Sequence, residues 1–200
     1  MSVLSVAGLR RVRTRHRVAR LRVAALRYAG NGWPVLPVQD DDSTEPGAGA
    51  GGVCAGRYPT TDTATVSRWW DRIPYRIGLG CGEVADVISA PAALGAAAHR
   101  VLLRSTATAT TAADRWLFVV TAGVRLPDRL TAAGVLRHGP GEWVALPPTS
   151  WPSGPTYWLV EPQVVQWEPA RAEVVHGVLV NALLMSSATR LPGMRGVSWL

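Results

Sequence analysis

Apolar positions along residues 13–29 recur with a helical period. Val18, Leu21, Ala25 and Tyr28 fall at i, i+3, i+7 and i+10, one face of a helix. Gly30-Asn31-Gly32 ends that helix, and Trp33-Pro34-Val35-Leu36-Pro37-Val38 reads as a short strand whose prolines place it at an edge or a strand start. Residues 40–56 turn acidic, then rich in Gly and Ala, which predicts a loop with no core to make. Its consecutive Asp40, Asp41 and Asp42 read as acids facing water.

Periodicity resumes at 62–71. Thr61 or Asp62 caps a helix that shows Val66, Trp69 and Trp70 on its apolar side, and Pro74 marks its end. Next come the glycines of Ile77-Gly78-Leu79-Gly80-Cys81-Gly82, read as a turn, and a strand over 83–88 that carries Asp86 in its middle. An acid there is either a satisfied core or edge residue or a metal ligand set in a cleft. An Ala-rich helix over 91–103 leads into the Thr/Ala tract 105–113, where the pattern carries little information. Strands are expected over 115–120, 142–146 and 156–160, a brief helical turn over 126–133, and a final apolar helix over 172–187. Strands and helices in this mixture predict an α+β domain with a mixed sheet.

Two hundred residues, 48% of them hydrophobic and 18% charged, suit one ordered domain with a core. The division expected is a basic N-terminal extension over 1–19, a domain over 20–165, and a C-terminal helix and tail over 166–200. Cys54 and Cys81 make no disulfide framework, and with four scattered His they give no zinc spacing, so a reducing cytoplasm is the compartment expected. No stretch approaches the roughly 20 apolar residues of a membrane span. The order of apolar and charged residues at the start is wrong for a secretory signal. An Arg-rich, acid-free beginning is also what a transit peptide shows, but the same helix continues into the domain.

Charge changes the picture more. The formal net charge is +7, and eight Arg lie between Arg10 and Arg27 with no acid among them, which leaves the remainder at −1. The basic character therefore belongs to one segment, either a solvated helix face or a nucleic-acid contact through residues such as Arg13, Arg17 and Arg20.

The ordered segments resemble a known family. Ala24 to Pro37, then Pro59-Thr60-Thr61-Asp62, Trp69-Trp70, Pro74, Ile77-Gly78-Leu79-Gly80, Val144-Ala145-Leu146-Pro147-Pro148-Thr149-Ser150, Gly154 and Tyr157-Trp158 are similar to bifunctional DNA primase/polymerase (prim-pol) domains of the archaeo-eukaryotic primase superfamily. The resemblance covers roughly residues 20–162 and implies an RRM-like sheet with flanking helices. It also implies metal-dependent nucleotidyl transfer with magnesium or manganese held by two or three carboxylates.

At the metal site this chain departs from that pattern. Asp86 matches the first acid, Ile88 stands where the second is expected, and Glu83 sits at odd spacing on the opposite face. Trp116 falls near the place of a nucleotide-contacting histidine, and Val135, two residues before Arg137, falls on the third acid. The cysteine-rich insert that some relatives carry is also missing around Cys54.

Arg104, Arg115, Arg137 and His138 fall near the strand ends that line the family's cleft and read either as surface charges or as phosphate contacts, and Trp116 reads either as a core residue or, in the cleft, as a ring that stacks on a base. The expectation is a prim-pol-like fold with nucleotidyl transfer lost or impaired, single-stranded DNA or nucleotide as partner, and a replication-associated protein as a further partner. An active enzyme using Glu142 or Asp114, and a protein-interaction module docking through the last helix, stay open beside it.

Overall fold

The computed structural model of the chain describes residues 6–39 and 58–188. The acids Asp40 to Asp42 and Cys54 lie outside the described residues, as does the tail after residue 188. Helix α1 (Val6–Gly30) leads into strand β1 (Val35–Val38), helix α2 (Thr63–Trp69) and strands β2 (Arg76–Gly80) and β3 (Ala85–Pro91). Helix α3 (Ala92–Leu102), strands β4 (Thr108–Thr110) and β5 (Arg115–Thr121), helix α4 (Asp128–Ala132), and strands β6 (Leu136–His138) and β7 (Trp143–Ala145) follow. The chain closes with the pair β8 (Ser150–Trp151) and β9 (Gly154–Pro155), strand β10 (Tyr157–Val160), a 3-10 turn (Pro162–Val165) and helix α5 (Ala172–Ala188).

Local chemistry explains several of these boundaries. The Asp62 carboxylate accepts the amides of Ala64 and Thr65, so the first turn of α2 has its free donors satisfied. The glycines expected as a turn instead form β2, packed between neighbours on both sides. A Cβ at Gly80 would lie 2.3 Å from Pro59 Cγ, and one at Gly78 would lie 3.0 Å from Leu36 Cδ2. Small residues are needed there because other side chains already fill the space. The turn itself falls later, where Gly82 takes a positive φ of 106°.

Two sheets carry the domain. One runs β1-β2-β7, the other β10-β4-β5-β3-β6. The class is α+β as expected. The sheet is not mixed, however: among the described residues every strand pairing is antiparallel, and the parallel contact is an isolated bridge between Val120 and Ala170.

The five-stranded sheet buries both faces. Val87, Leu117, Val119 and Ala109 join Leu79 and Val144 of the small sheet and Leu21, Ala25 and Tyr28 of α1 in one core. Ile88, Phe118 and Val120 join Ala98 of α3, Leu130 of α4, and Val175 and Leu179 of α5 in a second. The last helix is therefore packed rather than trailing. No helix among the described residues is long and apolar enough to cross a membrane.

Candidate functional site

Alternation along β3 decides where its side chains go. Ala85, Val87 and Ser89 point toward the small sheet and α1, and Asp86, Ile88 and Ala90 point toward the helices. Asp86 is 1% exposed. Its Oδ2 accepts hydrogen bonds from Arg137 Nε at 2.8 Å and from the Gly123 amide at 2.9 Å, and Arg137 Nη2 stands beside the same oxygen as an ion pair at 2.7 Å. Its Oδ1 has no hydrogen-bond partner among the described residues. Arg137 reaches it because β6 lies beside β3 with Arg137 opposite Ile88, on the same face and one step along from Asp86.

This surrounding does not fit a divalent cation. Magnesium takes oxygen donors in near-octahedral array, and here a guanidinium occupies one carboxylate oxygen. Ile88, the next side chain on that face, is 1% exposed in an apolar core, and Val135 is wholly buried in the same core. Among the described residues no group of three His, Cys, Asp or Glu side chains could hold a metal ion.

The other candidates divide between the two faces. Arg115 lies on the face of Ser89 and donates through Nε to Ser89 Oγ at 2.9 Å, through Nη2 to the Ser89 carbonyl at 2.6 Å, and through Nη1 to the Gly134 carbonyl at 3.1 Å. Burial lowers its pKa. His138, opposite Val87, is on that face too, with Nδ1 3.8 Å from Glu142 Oε2. Burial holds the imidazole below its ordinary value, and Arg115 adds to the effect while Glu142 opposes it. Trp116 projects the other way with Arg137, under α3, its ring 5.2 Å from that of His99. Arg104 is exposed in the turn after α3, which enters β4 at the end away from Arg115. The structure thus brings Asp86 to Arg137 and Arg115 to Ser89, but it gathers no single cluster from the set.

Of the acids outside the matched positions, Asp114 is exposed in the β4–β5 turn at φ 53°. Glu142 accepts the Gly139 amide at 2.9 Å and lines, with Glu83 and Cys81, a cavity of about 400 Å³ at the Gly80 end of β2. Burial raises the Cys81 thiol pKa, and the charges of Asp86 and Glu142 push the same way.

A second concavity, of about 590 Å³, opens at the other end of β2 and is lined by Arg17, Arg20 and Arg76 together with Trp151. Arg76 stacks over the Trp151 ring at 4.1 Å and donates through Nε to the Ser150 carbonyl at 2.9 Å. Arg13 is exposed on α1 one turn before Arg17. Arg76 and Trp151 are the residues that sequence reasoning misses. The available signals are an arginine opening a glycine-rich strand and a tryptophan in a Pro/Gly turn.

No curated protein matches the chain. The profile of the bifunctional DNA primase/polymerase N-terminal domain matches residues 25–173, from the end of α1 through the five-stranded sheet to the start of α5, and the chain belongs to that family.

Proposed function

We propose that this prim-pol domain binds nucleotide or nucleic acid and has lost, or keeps only in impaired form, metal-dependent nucleotidyl transfer. The observation that carries the reading is the commitment of Asp86 to Arg137. A carboxylate that recruits a cation must offer its charge to that cation. Here the charge is already neutralised by a guanidinium 2.7 Å away, inside a site 1% exposed. The second and third positions where the family carries acids hold Ile88 and Val135, which have no oxygen to give.

The test supplies primed and unprimed DNA templates, dNTPs, and magnesium or manganese to the purified protein. No extension product is expected. Robust synthesis that disappears in Asp86→Ala overturns the reading.

One observation favours a second reading. Glu83 and Glu142 line the same cavity, and an active enzyme would draw its oxygen donors from there. In the same assay that reading requires synthesis that survives Asp86→Ala and is lost in Glu142→Gln.

A further inference from the structure

The arginines of the basic segment do not form one patch. At about 100° per residue, Arg13, Arg17, Arg20 and Arg27 fall within one narrow stripe of α1, beside the line of Leu21, Ala25 and Tyr28 that enters the core. Arg15 and Arg22 lie on the far side. There Arg22 donates to Ser67 Oγ at 2.5 Å and sits 3.9 Å from Asp71. The stripe thus borders the seam where α1 meets the rest of the domain.

That seam is a groove. The 590 Å³ concavity with Arg17, Arg20 and Arg76 shares Arg20 and Pro148 with a neighbouring one of about 290 Å³. The second is lined by Arg27 and by the half-buried rings of Trp158 and Trp167. Arg20 Nη2 donates to the Pro148 carbonyl at 3.2 Å, on the ridge between the two. Arg27 lies 5.5 Å over the Trp167 ring, and Glu161 is the acid on this rim. One wall therefore carries cations on a helix, spaced over about 21 Å from Arg13 to Arg27. The other wall carries indoles.

We propose that this groove, between the Arg13–Arg17–Arg20–Arg27 stripe of α1 and the wall of Trp158 and Trp167, with Arg76 over the buried Trp151 at its far end, binds single-stranded nucleic acid. It rests on the reading above only in that the domain handles nucleic acid. It lies at the Arg76 end of β2, away from both the Asp86–Arg137 pair and the Glu83–Glu142 cavity.

A chain of phosphates lies along the arginines, which bond phosphate in fork geometry. The bases face the half-buried indoles of Trp158 and Trp167, where each stacking contact is sequence-tolerant. The indole wall selects against duplex, whose base faces are already stacked inside the helix. The charge elsewhere on the chain sums to −1 beside the eight arginines of residues 10–27, so an anionic strand has this surface as its electrostatic destination.

The experiment measures anisotropy of a fluorescein-labelled oligodeoxythymidine of about 16 nucleotides, a length at the upper end of known single-strand site sizes, titrated with the full chain at several salt concentrations. For wild type the slope of log K against log salt is expected near −2 to −3, from about −0.7 for each of three or four phosphates neutralised. Arg17→Glu/Arg20→Glu is expected to weaken binding about tenfold or more and to flatten the slope by about 1.

Arg15→Glu/Arg72→Glu makes the same charge change on the far side of α1 and is expected to stay within about twofold of wild type. All four side chains are exposed, and a melting curve confirms that each variant is folded. Equal losses in the two double variants overturn the groove while leaving nucleic-acid binding in place. Duplex DNA competing as well as the single strand overturns the assignment to a single strand, and so does binding to anionic phosphatidylserine vesicles in place of the oligonucleotide. Wild type that binds neither the labelled oligonucleotide nor dNTP at low salt overturns the proposed function along with the groove.

Discussion

Arg137 sets its guanidinium against one oxygen of Asp86, with an Nε–H hydrogen bond at 2.8 Å and Nη2 at ion-pair distance, 2.7 Å, and leaves the other oxygen of that buried carboxylate without a protein donor among the described residues. The pair is a monodentate clamp rather than a fork-on-fork bridge. Its energetics follow from burial. Desolvating both ions is costly, and removing one of them strands the other. Asp86→Ala or Arg137→Ala is therefore expected to lose about 3–5 kcal/mol of folding stability. Asp86→Leu/Arg137→Met, which removes both charges and keeps the volume, is expected to lose much less than the sum of the single changes. Urea unfolding followed by tryptophan fluorescence measures the cycle. Single variants that unfold like wild type would mean that the pair does not hold β3 to β6, and would reopen Asp86 as a ligand.

The same clamp bears on metal. A cation bound only by the folded state raises stability by RT ln(1 + [L]/Kd), about 2.7 kcal/mol at a hundredfold excess over Kd. With a guanidinium on Asp86, millimolar magnesium or manganese is expected to leave the melting temperature where chelator puts it. A rise of several degrees, lost in Asp86→Asn, would show a cation at that carboxylate.

His138 and His176 are both buried, at 6% and 5% exposure, and burial is the main reason each has a lowered pKa. Glu142 and Glu173 respectively oppose the shift, and Arg115 and Arg137 respectively add to it. A lowered folded pKa means that the unfolded chain binds protons first as pH falls. Stability is thus fully present above the ordinary histidine value of about 6.5 and is lost as pH drops from there through the folded values. The melting temperature is expected to be level between pH 7 and 8 and to fall between pH 6.5 and 5, with a shallower fall in His138→Gln. A melting temperature that rises on acidification contradicts both placements.

Much of the fold is legible from periodicity, and the parts that are not have physical reasons. The helix at α2 shows its cap in Asp62 and its apolar side in Val66, both local signals. The strand β4 lies in the Thr/Ala tract, where Thr and Ala alternate over 106–110 but differ too little in size and polarity to mark a buried face. Ala107 and Ala109 go to one core while Thr106, Thr108 and Thr110 go to the other face, all buried, so both faces carry small side chains. The glycines of β2 look like a turn because nothing local reveals that Pro59, Leu36 and Trp143 occupy the space beside them. At the site, Asp86 is visible as a lone acid in an apolar run. Its partner lies 51 positions away, and only the register of β6 against β3 brings the two together. Arg76 and Trp151 meet for the same kind of reason, so the groove on α1 is half legible. Its cations stand in the sequence, and its indole wall does not.

Trp116 separates a packing role from a base-stacking one. The Cβ of an alanine at position 95 in α3 would lie 2.3 Å from Trp116 Cβ and 2.4 Å from Cγ, close to the Trp116 backbone rather than at the far end of a flexible side chain. Alanine in place of glycine favours a helix interior by about 1 kcal/mol, and overpacking of this kind costs about 1–3 kcal/mol. At Gly95 the overlap wins, and Gly95→Ala is expected to destabilise the protein. Gly177 in α5 supplies the contrast, since a Cβ there meets nothing within 4 Å. Gly177→Ala is expected to stabilise by about 0.4–1 kcal/mol, chiefly by restricting the unfolded chain. Urea midpoints that move in opposite directions for the two variants confirm that Trp116 is seated under α3. If Gly95→Ala stabilises as Gly177→Ala does, the indole yields without cost, and Trp116 returns as a ring available to a nucleobase.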